Sequence, residues 1–173
     1  MCPARRPVKS RTDAGGSLAG RPLSAVRSSM RISDVLRRKG DDVVTIRSDA
    51  SVAELLDLLA DRGIGAVVVS DADGTVDGIV SERDVVRHLR GSTEPLPAVP
   101  VRTIMTTEVA TCRLDDDLET LARTMTERRV RHLPVVADGR LVGIVSIGDV
   151  VKQRLGELQD ERDSLVDYVQ GGG

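Results

Sequence analysis

Two short segments carry residue types that could hold an anion and a sugar together. They read Gly78-Ile79-Val80-Ser81-Glu82-Arg83-Asp84 and Gly143-Ile144-Val145-Ser146-Ile147-Gly148-Asp149. In each, a β-branched pair ends in a hydroxyl, and a carboxylate follows three residues later. If a helix opens at the serine, its free backbone N–H groups and its dipole favour a phosphate there. The hydroxyl can donate to the same anion, and a carboxylate one turn on has acceptors for both hydroxyls of a ribose. The same spacing also makes an ordinary capping box, in which Ser and Asp satisfy each other's backbone N–H groups. A single copy would be read that way. Two copies, each preceded by glycine and a β-branched pair, point to a nucleoside phosphate.

The elements that must position these segments are themselves duplicated. Val43-Val44-Thr45-Ile46 reads as a short strand. Ser51 and Glu54 have capping-box spacing, and Val52, Leu55, Leu56 and Leu59 then recur at i, i+3, i+4 and i+7, the stripe of an amphipathic helix that Gly63 ends. A strand over Ala66-Val67-Val68-Val69, a turn at Asp71-Ala72-Asp73-Gly74, a strand through Gly78-Ile79-Val80 and a helix opening at Ser81 complete the unit. Sixty-six positions on, Val109-Ala110-Thr111-Cys112 restarts it. Leu118, Leu121, Ala122 and Met125 repeat the stripe, Leu133-Pro134-Val135-Val136 the strand, Asp138-Gly139 the turn and Gly143-Ile144-Val145 the last strand. Each unit is β-α-β-β-α, an α/β (α+β) class. A unit of this size has too little interior to stand alone, so two are expected to pack sheet to sheet around one shared core with pseudo-twofold symmetry. The expected organisation is a disordered basic extension over 1–29, repeat 1 over 30–90, a Pro-rich hinge over 91–100, repeat 2 over 101–155, and a C-terminal helix with a flexible end over 156–173. Leu155, Leu158, Leu165, Val166 and Val169 give that last helix an apolar stripe to fold back or to meet a partner helix.

Composition bounds the function. The 173 residues contain no Phe, no Trp and one tyrosine, Tyr168, so the core is aliphatic and no stacking platform for single-stranded nucleic acid exists. Residues 1–29 hold six basic groups and one acid, a net +5, which leaves −7 for the remainder of a chain whose formal net charge is −2. An acidic body argues against a phosphate-backbone partner. The Arg- and Ser-rich start has the composition of a solvated tail, shared with organellar transit peptides. Met30 stands where patterned sequence begins and is a second candidate start. Cys2 and Cys112 are far apart and form no metal-ligand spacing, which fits a reducing, cytoplasmic setting; no segment has the length and apolarity of a membrane span.

Residues from about 31 to 155 resemble a pair of cystathionine-beta-synthase (CBS) domains, also called a Bateman module. The Gly-h-h-Ser-x-x-Asp segments match the family's ribose-phosphate motif in both repeats. Val130-Arg131-His132-Leu133-Pro134-Val135-Val136 and Leu141-Val142-Gly143-Ile144-Val145-Ser146 resemble its second repeat. The resemblance implies two clefts for adenosyl ligands: AMP, ADP, ATP, NAD or S-adenosylmethionine. Asp84 and Asp149 would hold ribose, and Ser81 and Ser146 would meet phosphate. Thr45, Ile46, Thr111 and Cys112 would line the base pocket, with Ile64 and Val130 as apolar walls. Arg131, His132 and Arg83 would approach phosphate, and modules would pair as homodimers that regulate a separate protein. In repeat 1 the counterparts of Arg131 and His132 are Gly65 and Ala66, so the cleft they reach should prefer the more anionic ligand. With two histidines, His88 and His132, and neither a catalytic triad nor a P-loop, an enzyme is not expected. The remaining alternative is an interaction homodimer with degenerate clefts.

Overall fold

The computed structural model describes residues 30–40, 42–72, 74–90 and 95–170. The expectations for the extension 1–29, for 91–94 and for the final glycines lie outside these residues. In chain order the elements are α1 (Ile32–Lys39), β1 (Thr45–Ile46), α2 (Val52–Arg62), β2 (Ala66–Val69), β3 (Gly78–Ser81), α3 (Glu82–Leu89), two 3-10 turns (Leu96–Ala98 and Val101–Thr103), α4 (Leu118–Arg128), β4 (His132–Ala137), β5 (Arg140–Ser146) and α5 (Ile147–Gln170).

Local signals explain the first half. The Glu54 carboxylate accepts from the Ser51 N–H at 2.8 Å while the Ser51 hydroxyl accepts from the Glu54 N–H at 3.2 Å, so α2 begins on a closed capping box. Gly63, at φ 61°, ends it in the left-handed conformation that glycine adopts without a Cβ penalty. Val52, Leu55 and Leu59 turn inward, whereas Leu56 of the expected stripe is 40% exposed. β1 pairs parallel with β2 and β2 antiparallel with β3, giving a three-stranded sheet.

The second half repeats the plan with one loss. β4 and β5 form a hairpin across Asp138 (φ 50°) and Gly139 (φ 77°). The strand expected over 109–112 survives as a single parallel bridge, Cys112 to Val135. Cys112 donates its N–H to the Pro134 carbonyl at 3.0 Å and accepts from Val136 at 2.9 Å. The next rung back would need an N–H at position 134, which proline lacks.

Packing does not follow the chain boundaries. The segment preceding each half docks on the other half. Ile32, Val35 and Leu36 of α1 are buried with Leu118, Leu121, Met125, Leu133, Val135 and Val145. Val99 and Val101 are buried with Val52, Leu55, Leu59, Val67 and Val80. The backbone bonds match: Ile32 and Ser33 donate to Asp116 and Leu114, while Val101 and Arg102 donate to Ala50 and Ser48, all at 2.8–3.0 Å. The expected single shared core is therefore two cores, each completed by an exchanged arm. Residues 95–100 of the expected hinge, with Val99 buried, belong to the first of them. Two equivalent glycines make room for the arms. A Cβ on Gly143 would lie 2.5 Å from Leu36 Cδ1, and one on Gly78 would lie 2.7 Å from Met105 Sδ and 3.2 Å from the Thr106 carbonyl. This close passage is a structural reason for the glycine that opens each Gly-h-h-Ser segment.

Candidate functional site

Each motif is built by a strand that ends in serine and a helix that starts on it. Ala66 pairs with Ser81 across β2–β3, and His132 with Ser146 across β4–β5, which sets the equivalence of the two sites. Ser81 donates its N–H and its hydroxyl to Asp84 Oδ2 at 2.9 and 2.6 Å; Ser146 does the same to Asp149 Oδ2 at 2.7 and 2.8 Å. Both pairs are thus capping boxes. The first helical N–H of each is also engaged, from Glu82 to the Gly65 carbonyl and from Ile147 to the Arg131 carbonyl. An incoming phosphate would therefore depend on side-chain cations more than on the helix starts.

The arginines gather at the first motif. Ser81 and Asp84 face a cleft of about 720 Å³ whose far wall comes from the second half, through Thr106, positions 108–110 and positions 128–132. Arg83, Arg87, Arg128, Arg129 and Arg131 line it against three carboxylates, Glu82, Asp84 and Glu108. Among the described residues, Arg83, Arg128, Arg129 and Arg131 have no ion-pair partner, and Arg87 stands off Asp84 Oδ1 at 3.9 Å. The Asp84 side chain is only 14% exposed. Arg129 ends α4 at φ 55°, where α2 ends on Gly63, so the second half accepts a left-handed non-glycine residue, a strain of order 1–3 kcal/mol, and places an arginine at the rim. His132 is half-buried beside Gly65 and Glu82. Burial first, and then the Lys39 charge, hold its pKa below the ordinary 6.5, against the pull of Asp149 and Glu82.

Asp149 has a different neighbour. Lys39 Nζ, at the end of α1, donates to its Oδ2 at 2.8 Å and to the Ile144 carbonyl at 3.2 Å. Burial pushes the Asp149 carboxyl up, but the bonds from Lys39 and Ser146 outweigh it and leave the pKa below the usual 3.8.

Of the residues singled out in the sequence, the cleft brings together Ser81, Arg83, Asp84, Val130, Arg131 and His132. Ser146 and Asp149 lie apart from it with Lys39. Of the expected base-pocket residues Val130 alone lines the cleft, and the other five fall elsewhere. Ile46 and Cys112 point into the two cores, because strand alternation turns them inward and leaves Thr45 and Thr111 exposed on the other side. Ile64 packs half-buried against the first core. Val109 and Ala110 line the cleft in their place. Burial, with the Asp116 carboxylate second, pushes the Cys112 thiol up to about 12, so it is no thiolate. The run Arg128-Arg129-Val130-Arg131 was the overlooked signal for the cation cluster; Lys39 had none, since its contact spans 110 residues. Among the described residues no cluster of His, Cys, Asp and Glu could hold a metal, and no helix is long and apolar enough to cross a membrane.

The CBS-domain sequence pattern matches residues 32–91 and again 101–156. A mitochondrial CBS-domain-containing protein of Arabidopsis thaliana is 32% identical over 83% of this chain and 74% of its own length. The chain spans only 34% and 33% of two longer archaeal relatives. The crystal structure of a CBS-domain-containing protein from Agrobacterium tumefaciens is 46% identical and superposes with a TM-score of 0.70, covering 72% of this chain and 99% of that one. The CBS-domain pair of the protein MJ0100, solved with 5'-methylthioadenosine and S-adenosyl-L-methionine, superposes at 0.66 with 25% identity over 75% of this chain and 98% of that one. Two matched repeats, exchanged arms and a cleft between the halves lead to one conclusion: the chain belongs to the CBS-domain family and carries a tandem pair of CBS domains.

Proposed function

We propose that the chain is an adenosine-nucleotide sensor that binds its ligand in the Asp84 cleft and regulates a partner protein, without catalysis of its own. The observation that carries this reading is the set of unpaired guanidiniums around Ser81 and Asp84 in an otherwise acidic body. Unneutralised arginines in a partly enclosed cleft favour a ligand of several negative charges. Asp84, with Oδ1 turned toward the loosely held Arg87, offers the ribose an acceptor. The pairing of anion and sugar selects ATP, NAD or AMP over S-adenosylmethionine, whose sulfonium adds a positive charge to a cationic site. Val109, Ala110 and Val130 supply aliphatic faces for the base. Because both halves line the cleft, a ligand that binds one arrangement of the halves better shifts the population toward it, and that shift is the signal a partner reads. Exposed Val86 and Leu89 on α3, with Val151 and Leu155 on α5, support a homodimer as the working assembly.

Thermal unfolding with ATP, NAD, AMP and S-adenosylmethionine tests the proposal. A ligand at 100 times its dissociation constant stabilises by about 2.7 kcal/mol. In a chain of this size the midpoint should rise by roughly 10 °C, and the shift should vanish in Asp84→Ala. No shift with any of the four would favour an interaction dimer with empty clefts.

A further inference from the structure

The two motifs are equivalent in sequence and in strand register, yet only one has a side-chain cation fixed on its carboxylate at hydrogen-bonding distance. In the first half, the arm from the second reaches Ile79 with its backbone: the Thr106 N–H donates to the Ile79 carbonyl at 2.9 Å, and the Ile79 N–H returns a bond to Thr106 at 3.0 Å. In the second half the arm is the helix α1, which cannot offer its backbone sideways. The Ile144 carbonyl, equivalent to that of Ile79, is met instead by Lys39 Nζ at 3.2 Å. The same ammonium lies 2.8 Å from Asp149 Oδ2, the oxygen that already takes the Ser146 N–H and hydroxyl. Arg38 fastens the helix further, donating to Gln153 of α5 at 2.9 Å.

We infer that Lys39 is a built-in plug of the second nucleotide site, so that the chain binds one nucleotide and not two. A ribose at Asp149 would have to displace an ammonium held by a carboxylate that is 21% exposed, with the charge-assisted bond that entails. Apart from His132, which pairs with Ser146 and feels both Lys39 and Asp149, the surroundings offer little in exchange. Gly63, Gly65 and Gly148 stand where the first cleft has Arg129, Arg131 and Arg83. Removing the ammonium while keeping its apolar stem should therefore expose a second, weaker site suited to a nucleotide of low charge.

The inference rests on reading Ser-x-x-Asp as a ligand motif, and calorimetric titration with AMP separates the two. Wild type and the charge-keeping Lys39→Arg should each bind one equivalent, Lys39→Met two, and Lys39→Met with Asp149→Asn one again. Equal numbers for wild type and Lys39→Met, whether none, one or two, would overturn the plug. Wild type binding none while Lys39→Met binds one would overturn the Asp84 reading and leave the plug standing.

Discussion

Asp84 and Asp149 sit at the same place in equivalent halves, three residues beyond a strand-ending serine whose N–H and hydroxyl each accepts. Their surroundings differ. Above Asp84 lie arginines from both halves and an open cleft; above Asp149 lies a lysine from α1. Duplication has kept the bonds made within each motif, because they are local and cap the helix. What covers each motif is supplied from elsewhere in the chain and has diverged. The local hydrogen bonds alone would make the two sites twins; the covering charges line one with arginines in an open cleft and close the other with an ion pair.

The largest effect should come from the arms that supply those covers. Ile32 and Val101 are both fully buried, each in the core of the other half. Ile32→Ala should cost about 2–5 kcal/mol and Val101→Ala somewhat less, read from urea midpoints. Amide exchange should then accelerate first in α4, β4 and β5 for Ile32→Ala, and in α2, β2 and β3 for Val101→Ala. The opposite assignment would break the exchange of arms.

Next comes the pair Gly63 and Arg129, which end α2 and α4 at nearly the same φ. Arg129→Gly should relieve left-handed strain and gain about 1 kcal/mol, while weakening nucleotide binding severalfold. A variant that lost stability and kept full affinity would show that the arginine serves packing and not the ligand.

The smallest effect should be the pH dependence of His132, where the first half has Ala66. Its pKa is held below 6.5, so the unfolded chain takes up the proton first. Its contribution to stability is thus whole above about pH 6.5 and is lost as the pH falls toward its folded pKa. A bound phosphate favours the charged ring, so nucleotide affinity should rise a few-fold as the pH drops through this window. His132→Gln should flatten that rise. An unchanged profile in His132→Gln would place the ring outside the ligand's reach.

Much of this was legible in the sequence because its signals are short-range. The capping box at Ser51, the glycine at 63 and the Asp-Gly turn at 138 and 139 are decided by neighbours, and duplication doubled each signal. The serine and aspartate pairs were legible for the same reason. The arms were not, since Ile32 and Val101 read simply as apolar residues near a start and a linker. Ile46 and Cys112 are suited by type to either a cleft or a core, and the strand alternation that turns them into the two cores is set by the fold. Lys39 was invisible: a lone lysine at a helix end is ordinary, and only the fold carries it to Asp149.

The most direct test of the account is the titration of ATP into isosteric variants of the two carboxylates. Asp84→Asn should abolish binding, and Asp149→Asn should retain one equivalent at near wild-type affinity with some loss of thermal stability. Binding that survives Asp84→Asn and disappears in Asp149→Asn would contradict the account, placing the nucleotide under Lys39 and leaving the arginine cleft without its ligand.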